Sequence, residues 1–444
     1  MSRKKALHAG WIVPVKPRSV ILEKHTLLIE DQRIVSILPT EKWLRKKQTE
    51  SIEESDYRSC VLIPGFVNSH GHSPMSLLRG YAENLPLEEW LTNHIWPVEA
   101  EFVDKEFVRD GSTLSIAEML LSGTTCFNDM YFFGDETARA CVDTGIRACI
   151  GMIVIMFPSA WANSTDEYFR KGQKIHDDFR SHPLISCAFA PHAPYSVEDR
   201  SLERIGILAE ELDIQIHMHL QETEGEVAES KKKYGCSPIH RLEKIGLLSP
   251  RLIGVHLTSV SDEEIELLAK SGVNVSHCPR SNLKLGSGIA PILKMQKSGL
   301  NVAIGTDSAA SNNDLDMFGE LRAASLLAKG ASRTPTALSA DLTLEMATYN
   351  GAQALSLGDQ IGSLEVGKLA DIVAVEIDQI GSTPTYDPVV QIVYSGHKTQ
   401  VQAVWVGGRQ LVQDGKLLTI DTKQMLEKTK FWQKKIISFK NKQI

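Results

Sequence analysis

Two histidines separated by a single residue close an apolar run, Val61-Leu-Ile-Pro-Gly-Phe-Val-Asn-Ser-His70-Gly-His72. On an extended strand, residues two apart point the same way, so both imidazoles can reach one ion. H-x-H alone has many chance matches; at the end of an apolar strand, after Pro64-Gly65, it carries more weight. A second pair stands in Gln215-Ile-His217-Met-His219-Leu-Gln-Glu222. His219 lies nearer the end of that run and is the expected ligand, whereas His217 is expected to pack a layer deeper. Two further runs end in the same manner, Leu252-Ile-Gly-Val-His256 and Val302-Ala-Ile-Gly-Thr-Asp307. A lone histidine in an apolar run is usually a hydrogen-bonded core residue, but several at equivalent positions of successive runs are harder to dismiss. A carboxylate at Asp307 can bind a cation and also accept a proton from water. Together His70, His72, His219 and Asp307 make a borderline-soft donor set that favours Zn²⁺, with Fe²⁺, Mn²⁺ or Co²⁺ as alternatives.

Side chains on separate runs converge only when the runs lie side by side. Eight short strands are expected, ending near His70, Asp129, Ile155, His192, His219, His256, His277 and Asp307, with helical patterns such as 110–122, 201–212 and 262–271 between them. A strand–helix unit repeated eight times over roughly 250 residues matches a (β/α)8 barrel, whose active site lies at the carboxyl ends of the strands. Strand-like runs at 11–15, 25–29 and 33–38 find their counterpart at 367–376 and 401–412. The expected fold class is therefore α/β, a (β/α)8 TIM-type barrel over 62–364. A small discontinuous β-sandwich is built from both chain ends, 1–61 and 365–421, and a C-terminal surface helix spans 422–444.

The 444 residues are 42% apolar and 23% charged, a globular balance that excludes wholesale disorder. A net charge of −7 argues against nucleic acid or an acidic membrane surface as partner. The longest apolar stretch, 148–162, is broken by Gly151, Pro158 and Ser159 and is too short to cross a bilayer. No apolar run follows the basic start, so no signal peptide is expected. Seven cysteines without a C-x-x-C pair suit a reducing compartment and exclude a disulfide scaffold. A cytoplasmic protein is expected, with a small-molecule substrate and further copies of its own chain as partners, and with neither nucleic acid nor membrane.

The combination PGFVNSHGH, HMHLQE, GVH and IGTDS resembles the amidohydrolase superfamily in its deaminase and chlorohydrolase branch. The nearest likeness is the 5-methylthioadenosine/S-adenosylhomocysteine deaminase group, and it extends to GSLEVGKLADIVAV at 362–375. The resemblance makes His70, His72, His219 and Asp307 the ligands of one divalent metal. Binuclear relatives place a lysine at the end of strand four, and 184–195 contains none. It further implies that His256 orients the attacking water and that Glu222 delivers a proton to a purine ring. Glu99 in IWPVEA matches an acceptor for ribose hydroxyls, and His192 in APHAPY a second nucleoside contact. Arg147 in GIRA matches a substrate-pocket arginine, although a second arginine expected soon after it is absent from 151–165.

The implied reaction is hydrolytic deamination of the adenine of 5-methylthioadenosine and S-adenosylhomocysteine, with adenosine as a further candidate nucleoside. Rival readings on the same fold are a deaminase of free guanine, oxoguanine or cytosine, and a triazine chlorohydrolase. A non-catalytic scaffold is more remote, because every proposed ligand is in place. Glu222 does not choose among deaminases, whereas Glu99 with His192 favours a ribose. Arg147 has a structural alternative, a salt bridge that closes a strand. The apolar segment 84–96 is either a lid or rim packing, and 280–288 reads as a turn after strand seven.

Overall fold

The structure, a computed structural model, describes residues 4–46 and 52–443. Eight parallel strands pair in sequence order: Phe66–Gly71, Thr124–Tyr131, Arg147–Val154, Ile185–Pro191, Gln215–Leu220, Leu252–His256, Asn274–His277 and Asn301–Ile304. These are the first to eighth barrel strands, and every expected strand is among them. Arg147–Val154 is buried along its whole length. Strands covered on both faces read as near-continuous apolar runs, which is why they were legible. The helices outside them turn one stripe inward, as in Asp199–Leu212, where Leu202, Ile205 and Ala209 are buried. Ser261 and Glu264 form a capping box that starts the helix Asp262–Lys270.

Side chains help to draw the first and eighth strands together. Asn68 accepts from the Thr306 amide at 2.9 Å and donates to Thr306 Oγ1 at 2.7 Å, while the Asp307 amide donates to the His70 carbonyl at 3.1 Å. Gly305 permits this approach, since a Cβ there would lie 2.9 Å from the His70 amide nitrogen. The seam thereby brings His70 and Asp307 together.

The chain ends form a second, mixed sheet in the order Lys416–Leu417, Arg409–Gln413, Val401–Val406, Ile372–Glu376, Glu53–Pro64, Lys4–Ile12, Leu22–Glu30, Arg33–Pro39. Its two halves join where Ile372–Glu376 runs antiparallel to 60–64. The sheet rolls over on itself, so that the turn at Gly408 lies against Asp31; with φ of +72° there, a Cβ would meet the Asp31 carbonyl oxygen at 2.3 Å. Leu7, Ile29, Leu62, Ile372 and Trp405 fill the enclosed core. The C-terminal helix Thr422–Gln443 is anchored to the helix Lys105–Leu121, with Trp432 buried and its Nε1 donating to Asp110 Oδ2 at 3.0 Å. Among the described residues no helix is long and apolar enough to cross a membrane.

Arg147 corrects one expectation. It opens the third barrel strand, at the end opposite the clustered histidines, and eight residues of strand put it roughly 20 Å from the far terminus. Its Nε and Nη2 donate to the two oxygens of Asp371 at 3.1 and 3.2 Å, and its Nη1 to the Pro183 carbonyl at 2.8 Å. Asp371 also accepts from the Gly407 amide at 2.7 Å. Arg147 is therefore the buckle between barrel floor and rolled sheet, not part of a substrate pocket. The side chains of the pair are only 5% and 2% exposed, so removing one partner strands a buried charge. Arg147→Ala is expected to lower the unfolding free energy by about 3–5 kcal/mol in urea titration; an unchanged midpoint would refute the buckle.

Candidate active site

Side chains from four strand ends converge at the carboxyl end of the barrel. His72 Nε2 lies 3.2 Å from His219 Nε2, and Asp307 Oδ1 lies 3.3 Å from both His70 Nε2 and His72 Nε2. Two ligand atoms bound tetrahedrally at about 2.0–2.1 Å from one ion stand about 3.3 Å apart, so these spacings fit the edges of a zinc-sized coordination shell. The triads His70–His72–His219 and His70–His256–Asp307 share His70, which places one centre among the described residues.

Each imidazole has its second nitrogen committed. His72 Nδ1 donates to the Met130 carbonyl at 2.6 Å, and His219 Nδ1 to the His192 carbonyl at 2.8 Å. His70 Nδ1 stands 2.8 Å from His217 Nε2. A proton on Nδ1 in each case leaves the Nε2 lone pair facing the common centre, the arrangement a metal requires. Burial pushes His70 down to about 3 and His219 well below the usual histidine range, so both stay neutral. Burial lowers His72 too, but its hydrogen bond to Asp307, the charge of that carboxylate and the Met130 carbonyl together outweigh this, and the net direction is upward. Proton and cation therefore compete for the same donors. Burial raises the Asp307 carboxyl, and the imidazoles of His70 and His72 overturn this, holding it well below the usual carboxylate range. The donors fit a divalent cation.

Around this centre lies a second set of contacts that the sequence reading left open. The short helix Pro279–Lys284 and the turn after it reach three site residues at once. Ser281 Oγ donates to Asp307 Oδ2 at 2.6 Å, Asn282 Oδ1 accepts from His256 Nδ1 at 2.7 Å, and Ser287 Oγ donates to Glu222 Oε1 at 3.1 Å. Ser311 Oγ adds a bond to Asp307 Oδ2 at 2.9 Å. Glu222 is buried, with Oε2 3.7 Å from His256 Nε2. Burial raises its carboxyl, an effect only partly offset by His256. His256 and Asp307 both adopt left-handed backbone, at φ of +74° and +61°. Such conformations gather where a scaffold must aim a functional side chain.

The centre opens into a cavity of about 490 Å³ lined by His72, Glu99, His192, His219, Glu222, His256 and Asp307. Glu99, His192 and Glu222 thus share one cavity with the metal-ligand candidates. His192 Nδ1 bonds Ser196 Oγ at 2.9 Å, and burial lowers its imidazole to about 4, so it is neutral. Tyr131 donates to Glu99 Oε1 at 2.6 Å. Burial pushes Glu99 up to about 7, with that bond and His72 acting in the opposite sense. Tyr131 was missed, although it stands two residues beyond Asp129 on the same strand and period two would have placed it on the same face. The segment 84–96 forms the cavity's apolar wall through Leu87, Trp90, Leu91, Ile95 and Trp96. His217, as expected, lies beneath the site, fully buried. Replacing it with phenylalanine removes the acceptor for His70 Nδ1, so metal affinity measured by chelator competition should fall about 10- to 100-fold. Unaltered affinity would show that His217 does not set the tautomer of His70.

The arrangement has counterparts among known proteins. Residues 61–411 match the amidohydrolase family. A 5-methylthioadenosine/S-adenosylhomocysteine deaminase of Teredinibacter turnerae is 48% identical over 97% of both chains. One of the same name from Saccharophagus degradans is 45% identical over 96% of both. The crystal structure of an adenosine deaminase from Xanthomonas campestris with bound zinc superposes with a TM-score of 0.96 at 46% identity, covering 98% of this chain and 99% of that one. By the match to its barrel and by the near full-length identity to these relatives, this chain belongs to the amidohydrolase family.

Proposed function

We propose that the chain is a metal-dependent hydrolytic deaminase of adenosine derivatives, converting the adenine of nucleosides such as 5-methylthioadenosine and S-adenosylhomocysteine to hypoxanthine and releasing ammonia. One observation carries the reading: two buried carboxyl groups in one cavity are driven in opposite directions, Asp307 down and Glu222 up. Paired groups whose environments separate their proton affinities divide the work of base and acid. A divalent ion held by His70, His72, His219 and Asp307 would supply a Lewis acid that makes water acidic enough to attack near neutral pH.

The chain's own groups then account for the proton movements. Asp307, ionised and steadied by Ser281 and Ser311, accepts the proton of the attacking water. His256, fixed through Asn282, presents Nε2 to aim that water. As the C–O bond forms at C6 of adenine, electron density moves to the neighbouring ring nitrogen. Glu222, whose raised affinity keeps a proton available, protonates that nitrogen. Asp307 passes its proton to the departing amine, the C–N bond breaks and ammonia leaves, while the C6 hydroxyl gives up its remaining proton to become the carbonyl and that proton restores Glu222. Glu99 accepts hydrogen bonds from ribose hydroxyls, and the neutral imidazole of His192 adds a contact beside it. A deaminase of free bases would have no use for a half-buried carboxylate in that place, which favours the nucleoside.

Glu222→Gln keeps the shape of the site and removes the proton. It is expected to retain metal, by elemental analysis, while kcat falls about 10²- to 10⁴-fold. Near-normal turnover would exclude the proton-delivery role. Glu99 is charged only above its raised value of about 7, and the charged form is the better acceptor. The reciprocal of KM for the nucleoside should therefore rise as pH increases through about 7, and Glu99→Gln should flatten that limb. A limb that survives in the variant belongs to another group.

A further inference from the structure

Trp96 and Glu99 stand one turn apart on the helix Trp96–Phe102, so their side chains serve one face. Both line the cavity, and the Trp96 ring lies 6.2 Å from that of Phe157 across the mouth. The two residues are 39% and 41% exposed, a position at the rim, and Leu91, Ile153 and Pro158 continue the apolar wall. Among the described residues lining the cavity there is no lysine or arginine; its acids are Glu99, Glu222 and Asp307. Arg147 is held at the other end of the barrel by Asp371.

We propose that this cation-free aromatic wall receives the 5′ substituent of the nucleoside and ranks substrates by it, favouring a small apolar or thioether group over a zwitterionic amino-acid tail. The ranking rests on the adenosine-derivative reading above. A ribose held by Glu99 has Trp96 within one helical turn, so the substituent beside that ribose meets the Trp96–Phe157 pair. Sulfur of a thioether is soft and makes favourable contacts with aromatic ring edges. A 5′-hydroxyl placed there gives up water for partners that cannot hydrogen-bond it. An α-carboxylate fares worse, because the wall it enters holds no lysine or arginine to pair with it.

The test is kcat/KM of the zinc-loaded full chain for 5′-methylthioadenosine, 5′-deoxyadenosine, S-adenosylhomocysteine and adenosine, followed by ammonia release. The methylthio compound should exceed both S-adenosylhomocysteine and adenosine by about 10-fold or more, the scale on which an apolar pocket discriminates. Trp96→Ala should lower the ratio of methylthioadenosine to adenosine by about 10-fold. Equal or better use of S-adenosylhomocysteine, or an unchanged ratio in Trp96→Ala, overturns the ranking while leaving the deaminase reading intact. Turnover of none of the four by metal-loaded protein defeats the deaminase reading, and the ranking with it.

Discussion

Buried imidazoles can turn their lone pairs toward one another only if each keeps its proton on the far nitrogen and finds an acceptor for it. The rest of the site answers that requirement. Neighbouring strands supply the acceptors: the Met130 carbonyl of the second strand for His72, and the His192 carbonyl beside the fifth strand for His219. His70 stands over His217, and His256 over Asn282. Parallel strands in fixed register make these acceptors a property of the fold, so that the donors are arranged before any cation arrives. The seam between first and eighth strands completes the set by bringing Asp307 against His70 and His72.

The same burial that keeps His70 and His219 neutral sorts the acids. A carboxyl group that meets histidines and hydroxyl donors, as Asp307 does, stays ionised. One that sits deep with a single hydroxyl and a more distant imidazole, as Glu222 does, binds its proton more tightly than a free carboxyl. One short segment, 281–287, touches both acids and His256. Hydrogen bonds there fix the relative positions of three groups that no single strand could align.

Much of this was legible in the sequence because its signals are local. Apolar runs with polar ends revealed the eight strands, and period two put His70 with His72 on one face and His217 a layer below His219. What escaped depends on contacts between distant parts of the chain. Ser281 and Ser287 look like ordinary turn residues until the seventh and eighth strands are placed side by side. Asn282 shows no purpose until His256, 26 residues earlier, is seen to need an acceptor. Arg147 was misplaced because a motif match ignores the direction of the strand. The first residue of a barrel strand lies at the floor, where Asp371 waits, and only the last ones reach the mouth.

The rolled sheet also bears on how the chain is made. Its central pairing joins 60–64 to Ile372–Glu376, and about 300 residues lie between them. At ~5–20 residues per second that interval is roughly 15–60 s of synthesis. Throughout it, Val61, Leu62 and Ile63 form an apolar sheet edge without its partner, and such an edge invites pairing with other chains. The barrel cannot shield it, because the eighth strand and its seam to the first are also late to emerge. A nascent chain of this topology carries its aggregation hazard near its beginning and loses it only near its end, so the speed of elongation bears directly on the yield of folded protein.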